Sequence, residues 1–329
     1  MKTIFKWLPE RVRRFLLSDV VQQLDRSQLL LGQIAAREIS ESQEIDCLGD
    51  VEFRVYSQWG EDGILEWLIR NLPISSHCFV EFGVEDYTES NTRFLVQHRY
   101  WKGLVIDCDP ENVRVIRDNS LSWRHDLTAV CSFVTRDNIN RILEENEFTD
   151  TTGVLSIDID GNDYWIWEAI EVIVPDIVVC EYNAVLGDIH PVTIPYQDNF
   201  QRTKAHHSNL YWGTSIMALC ALALRKGYVL VGSNMAGNNA FFVRRELASY
   251  LNQRIKDMTA RPSLIREARD PQGRLTDLGG VRRLDAIKHL SVVRVDTGET
   301  IKLETLTPVY SERWLTLMRN ESVNVRKPS

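Results

Sequence analysis

Two spacings of apolar residues divide this chain. From residue 77 onward, short continuous apolar runs of strand length are separated by stretches whose apolar residues recur every three to four positions. The first kind predicts strands over 77–83, 103–107, 128–134, 154–159 and 177–181; the second predicts helices over 90–99, 112–119, 138–146 and 164–173. Strands separated by helices of this length make βαβ units and a parallel sheet covered on both faces. A helix over 56–72 precedes the series, with Ile64, Leu65, Leu68 and Ile69 facing inward. Another, over 210–225, follows it, burying Ile216, Leu219, Cys220, Ala223 and Leu224. Two last strands, 227–231 and 240–244, flank the turn-rich GSNMAGNN and form a hairpin. The expected fold is α/β and Rossmann-like: a mostly parallel sheet finished by an antiparallel hairpin.

The flanks differ from this core. Residues 18–40 read as one helix, with Leu17, Val20, Leu24, Leu31 and Ile34 on one face and Ser27 and Gln28 interrupting the stripe. Ahead of it, Lys2, Lys6, Arg11, Arg13 and Arg14 are interleaved with Ile4, Phe5, Trp7, Leu8, Phe15 and Leu16. This basic amphipathic stretch lacks the long apolar centre and cleavage site of a signal peptide. It suits either packing on the body or a second copy, or peripheral contact with an anionic membrane. Three units are expected: 1–50 as a helical assembly element, 51–245 as the α/β domain, and a more polar 246–329 as a carboxyl-terminal appendage.

Of the 329 residues, 44% are hydrophobic and 26% charged, as in ordinary globular proteins. The net charge of −8 argues against a nucleic-acid partner, because no basic excess is present to neutralise phosphates. The six cysteines (47, 78, 108, 131, 180 and 220) form no CxxC. Cys78, Cys108, Cys131 and Cys180 lie in or beside apolar runs, as small core residues would. A reducing cytoplasm is the expected location, and no run reaches the length of a membrane span.

The chemistry gathers at strand ends. In TGVLSIDIDGND the run through Val154, Leu155, Ile157 and Ile159 ends in Asp158, Asp160 and Asp163, with Gly161 at the turn. The next apolar run ends in Glu181-Tyr182-Asn183. Ligands of open α/β sheets bind at the carboxyl ends of strands, so these oxygen donors face a site suited to a hard divalent cation, Mg²⁺ or Mn²⁺, or to a cluster of acid/base groups. One strand pair earlier, Glu81-Phe82-Gly83 leaves the first strand toward a helix expected at Ser90-Asn91, whose N-terminus would attract an anion. Asp107 ends the second strand, where an acid grips a ribose diol. With neither GxGxxG nor GxxxxGK[ST] present, the pattern fits a nucleoside without a bound pyrophosphate.

SQWGEDGIL, FVEFGVEDYTESNT, GLVIDCDPENV, LSIDIDGNDYWIW, VVCEYN and NNAFFVR together resemble the FkbM-like S-adenosylmethionine-dependent O-methyltransferases, in particular a bacterial branch associated with sugar and polysaccharide functions. The resemblance spans roughly residues 56–245. It implies a class I methyltransferase sheet of seven strands, the last antiparallel, with S-adenosylmethionine as cofactor and a small-molecule or glycan hydroxyl as acceptor. It places Gln58, Glu81, Gly83, Asn91, Asp107 and Asp158 at the cofactor. Ser156 and Asp160 stand where related proteins carry lysine and glutamate, and Glu85-Asp86 replaces small residues.

A sugar hydroxyl is a poor nucleophile and needs a base or a metal. Metal-dependent methyltransferases of the catechol type, on the same fold, set an Asp after the fourth strand and an acid–amide pair after the fifth. That makes Asp158, Asp160, Glu181 and Asn183 the expected metal ligands. Asp160, His206 and His207 are the catalytic candidates, with Tyr211 and Trp212 available to stack on a sugar. Two other readings share these features: a non-catalytic binding module on the same fold, and a metal-dependent glycosyltransferase using Asp158-Ile159-Asp160. The second leaves Glu81-Phe82-Gly83 unexplained.

Overall fold

The computed structural model describes residues 10–39, 44–263, 265 and 267–324. The basic residues 1–9, and the start of the expected connector at 40–43, lie outside the described residues. Helix α1 (Glu10–Ile39) starts earlier than the stripe predicts and is about 45 Å long at 1.5 Å per residue. Its end docks where Gly32 brings the backbone onto the body: a Cβ there would lie 2.4 Å from Val55. Helix α2 (Glu61–Asn71) then enters the first βαβ series.

The series runs β1 (Cys78–Phe82), β2 (Lys102–Asp107), α3 (Pro110–Asp118), α4 (Ser120–Arg124), β3 (Leu127–Cys131), α5 (Ile139–Glu145), β4 (Asp150–Ile157), α6 (Asp163–Ala169) and β5 (Ile173–Glu181). Two strands, β4 and β5, begin four residues before the expected starts, because Asp150–Thr152 pairs with Ile173–Pro175 outside the apolar runs. Between β1 and β2 the expected ten-residue helix is only a π-helical turn, Leu95–Arg99. The preceding Ser90–Thr92 is held instead by Glu81.

After β5 the chain makes the short β6 (Val192–Thr193) and α7 (Arg202–Ala205), then α8 (Ile216–Lys226), β7 (Tyr228–Ser233) and β8 (Asn239–Arg244). Helix α8 starts six residues later than its apolar pattern suggested. The chain before it is extended, with Gly213 accepting from the Ile194 amide and Thr214 from that of Asn183. The main sheet has the order β3-β2-β1-β4-β5-β8-β7, parallel except for β8, which runs against both neighbours. The fold expected from the sequence, a mostly parallel sheet ended by an antiparallel hairpin, is therefore observed. Strand order reverses between β1 and β4, and that switch point is where a crevice opens in such sheets.

Two apolar layers sandwich the sheet, one around Phe82, Ile106, Ile157, Trp167 and Phe242, the other around Phe79, Trp67, Val105, Val154 and Phe241. The last stretch adds α9 (Arg282–Ile287), β9 (Ser291–Arg294), β10 (Thr300–Lys302) and α10 (Glu312–Asn324). β9 pairs with β6, so this stretch completes a second, three-stranded antiparallel sheet with the segment after β5. Trp314 of α10 donates to the Ala260 carbonyl and packs into the main core. Cys108 and Cys131 are exposed rather than in the core, whereas Cys180 is buried as expected. Among the described residues no helix is long and apolar enough to cross a membrane.

Candidate functional site

The cavity lies over the switch point. It measures about 610 Å³, within the range of small-molecule sites. At one end the tips of β2 and β3 contribute Asp107, Cys108, Ser132, Phe133 and Val134; at the other the tips of β4, β5 and β8 contribute Asp158, Asn162, Glu181 and Asn239. Gly83 joins the two halves. Its φ is +72°, and a Cβ there would sit 1.7 Å from the Asp158 carbonyl oxygen, so only glycine fits.

The β1–β2–β3 half is held by the protein itself. Buried Glu81 accepts from the Ser90 hydroxyl at 2.6 Å, the Asn91 amide at 2.9 Å, and the amide and hydroxyl of Thr92. Burial raises its pKa against the pull of those bonds. The anion at this turn is thus the chain's own carboxylate, which corrects the expectation of an anion-attracting helix N-terminus at Ser90-Asn91. Asn91 lines the cavity and donates to Ser156 at 3.1 Å. Asp107 accepts from the amides of Glu85 and Asp109, at 2.9 and 2.8 Å, fixing the loop after β1 against the end of β2.

Gln58 reaches the cavity from a loop with two buried braces. Asp62 accepts from the amides of Val55, Tyr56 and Ser57. Glu61 accepts from the Trp59 and Gly60 amides with one oxygen, and from Asn234 and Asn239 with the other. These are tertiary ties joining the loop to the β7–β8 turn, beyond the helix capping and turn formation their sequence positions suggest.

The β4–β5–β8 half is different. Asp158, Asp163 and Glu181 each place a carboxylate oxygen within 4.8 Å of the others. Burial, then Asp160 and Asp163, push Asp158 well up; burial, then Asp158, do the same to Glu181. Burial likewise raises Asp163 to about 6 although it accepts from the Ile159 and Gly161 amides. Glu181 Oε2, Asn162 Oδ1 and Asn239 Oδ1 are buried without a donor. Both asparagines have their amide nitrogens committed, to the Gln197 carbonyl and to Glu61, which turns each oxygen the other way.

Several expected residues are elsewhere. Asn183 does not join the acids: its side chain donates to the Leu210 and Trp212 carbonyls and accepts from the Val185 amide. Asp160 does line the cavity but stands apart from the acid cluster, 62% exposed and paired with Arg202 at 2.8 Å, and Asp163 lies beside Asp158 and Glu181 in its stead. His206 and His207 stack on each other beside His289 and do not line the cavity. Arg202 and Thr203 of α7 do line it. Arg202 lies over the Trp212 ring, pairs with Asp160 and Glu267, and among the described lining residues is the only cation beside seven carboxylates. Sequence reasoning missed it because its partner Glu267 lies 65 residues away. Three non-glycine lining residues, Glu85, Asp160 and Asn209, have φ of +47°, +54° and +61°. Left-handed backbone of this kind collects at functional sites.

No family model and no curated protein matches the chain. Among solved structures it is similar to an S-adenosylmethionine-dependent methyltransferase from Clostridium acetobutylicum ATCC 824, at 10% identity over 57% of this chain and 92% of that one, with a TM-score of 0.37. It is also similar to TrmK of M. capricolum in complex with S-adenosylhomocysteine, at 11% identity over 54% of this chain and 65% of that one, with a TM-score of 0.33. At this identity the likeness concerns the fold alone.

Proposed function

We propose that the chain is an S-adenosylmethionine-dependent O-methyltransferase of the FkbM-like kind, acting on a hydroxyl of a saccharide or sugar-bearing natural product. The observation that carries this reading is the switch-point cavity: a single-glycine turn at Gly83, Asp107 at the neighbouring strand end, and seven carboxylates against one arginine. A nucleoside lies between Asp107 and the Ser132–Val134 wall, and the acidic field favours a sulfonium, which a neutral or anionic nucleotide would not exploit. The acceptor sits at the other end, where Asn162, Glu181 and Asn239 offer oxygens to the hydroxyl donors of a polyol.

Methyl transfer forms an oxygen–carbon bond as the sulfur–carbon bond breaks, and the electron pair returns to sulfur. The hydroxyl proton passes to a carboxylate oxygen of the Asp158–Glu181 pair, which lines this end of the cavity. The donor set also fits a divalent cation: Asp158, Asp163 and Glu181 are hard oxygen ligands in mutual reach, and one oxygen is buried without a donor. Mg²⁺ or Mn²⁺ bound there would lower the pKa of the acceptor hydroxyl. The chain's own residues align the reactants.

Calorimetry with S-adenosylhomocysteine, NAD and a UDP-sugar, each with and without Mg²⁺, tests the reading. Binding of S-adenosylhomocysteine alone, weakened by about 1–3 kcal/mol in Asp107→Ala, is expected. Preference for either of the other ligands refutes it.

A further inference from the structure

Among the described residues, helix α1 docks on the body by one face. Gln28 donates to the Val55 carbonyl, Asp25 pairs with Arg93 at 3.1 Å, and Gly32 and buried Ala36 lie against the body. The other face carries Val20, Leu24, Leu31 and Ile34, with Leu30 beside them, each between 53% and 66% exposed. A soluble chain exposes single apolar residues freely, but a continuous row marks a contact surface.

The spacing of the row specifies what covers it. Val20, Leu24, Ser27, Leu31 and Ile34 follow steps of four, three, four and three, the seam of a left-handed coiled coil. Val20, Gln23, Leu24 and Ser27 also line a shallow hollow in this face. Residues at i, i+3, i+4 and i+7 are the four that surround a knob from a facing helix, and the small Ser27 opens one side of the hollow. Its hydroxyl already donates to the Gln23 carbonyl at 2.9 Å, so covering it leaves no unmet donor.

We propose that α1 pairs with α1 of a second copy of this chain, a leucine of each filling the hollow of the other. The charges favour a second copy over an anionic membrane. Along the exposed row, residues 20–39, Asp25 and Arg26, Arg37 and Glu38 cancel, and the basic Arg11, Arg13 and Arg14 precede it in the sequence, whereas a helix lying on lipid carries its basic residues beside its apolar row. Positions flanking the seam are Val21, Gln23, Gln28 and Leu30, which place no like charges against each other in a twofold pair. A seam read from one chain is its own complement, because both copies present the same knobs and the same hollow.

Sedimentation of the full chain at micromolar concentration tests this. Wild type is expected at twice 38.0 kDa, and the double variant Leu24→Glu, Leu31→Glu at 38.0 kDa with melting temperature and S-adenosylhomocysteine affinity unchanged. Ser27→Leu, which fills the seam, should tighten self-association about tenfold or more. A monomeric wild type overturns the proposal. So does a double variant that still dimerises. Flotation with phosphatidylcholine–phosphatidylglycerol vesicles that requires Leu24 and Leu31 without any change in mass assigns the face to lipid instead. Each readout is independent of methyl transfer, so failure here leaves the functional reading standing, and the reverse.

Discussion

Glu81 and Glu181 are the same residue at the same kind of place, the carboxyl end of a buried parallel strand, yet their surroundings are opposite. Glu81 is wrapped by the Ser90–Thr92 turn and its hydrogen bonds are met from within the chain. Glu181 has an oxygen with no donor and carboxylates for neighbours. A carboxylate satisfied by protein organises a loop. One left with its charge uncompensated in a cavity is organised for something that arrives. The β1–β2–β3 half therefore meets its carboxylate's hydrogen bonds from within the chain, and the β4–β5–β8 half leaves buried oxygens without a donor.

The harshest way to break this division is at the glycine joining the halves. Gly83→Ala must push the β1 and β4 ends apart, and is expected to cost more than about 4 kcal/mol of stability, read by urea unfolding, with cofactor binding lost. A normal midpoint would show that the two ends are not locked together.

Glu66 extends the comparison to a carboxylate given cations. Burial alone would raise its pKa, but contacts from His98, Arg99 and Arg70 bring it down to about 2. Its folded value lies below its unfolded one, so its contribution is full above about pH 4.5 and is lost as pH falls toward 2. Glu66→Gln should cost about 3 kcal/mol at neutral pH and flatten the acid limb of the stability curve. An unchanged acid limb would remove Glu66 as its cause.

The direct contrast is smaller. Glu81→Gln should destabilise by about 2 kcal/mol, since donors shaped around a carboxylate meet an amide. Glu181→Gln should leave the metal-free protein as stable or more so while abolishing turnover. Equal losses in both variants would erase the distinction. Smallest of all, Asp160→Asn removes only an outward ion pair and should shift stability by less than about 1 kcal/mol. Asp163→Asn, at the buried end, should do more, and the reverse ranking would return Asp160 to the acid cluster.

What could be read from the sequence follows from how local each signal is. The sheet was legible because its strands are apolar runs between amphipathic helices, and the places of Gly83 and Asp107 at strand ends followed from it. Asp163 reads as a helix-start residue, and it does accept from the Ile159 and Gly161 amides; its second use beside Glu181 comes from strand pairing. His206-His207 reads as a catalytic pair in the sequence, but four-residue α7 turns Arg202 to the cavity and leaves His206 against His289. The second sheet had no readable period, since Val192–Thr193, Ser291–Arg294 and Thr300–Lys302 are too short to show one.

The left-handed residues on the cavity rim carry a consequence for descent. At Glu85 and Asp160 glycine would take the left-handed backbone without steric cost, which biases drift toward glycine at both positions. Only a demand for those side chains opposes that drift. Lineages with no use for those side chains should accumulate glycine at these two positions early, before the sheet itself decays, which makes residues 85 and 160 a record of when the side chains were last under selection.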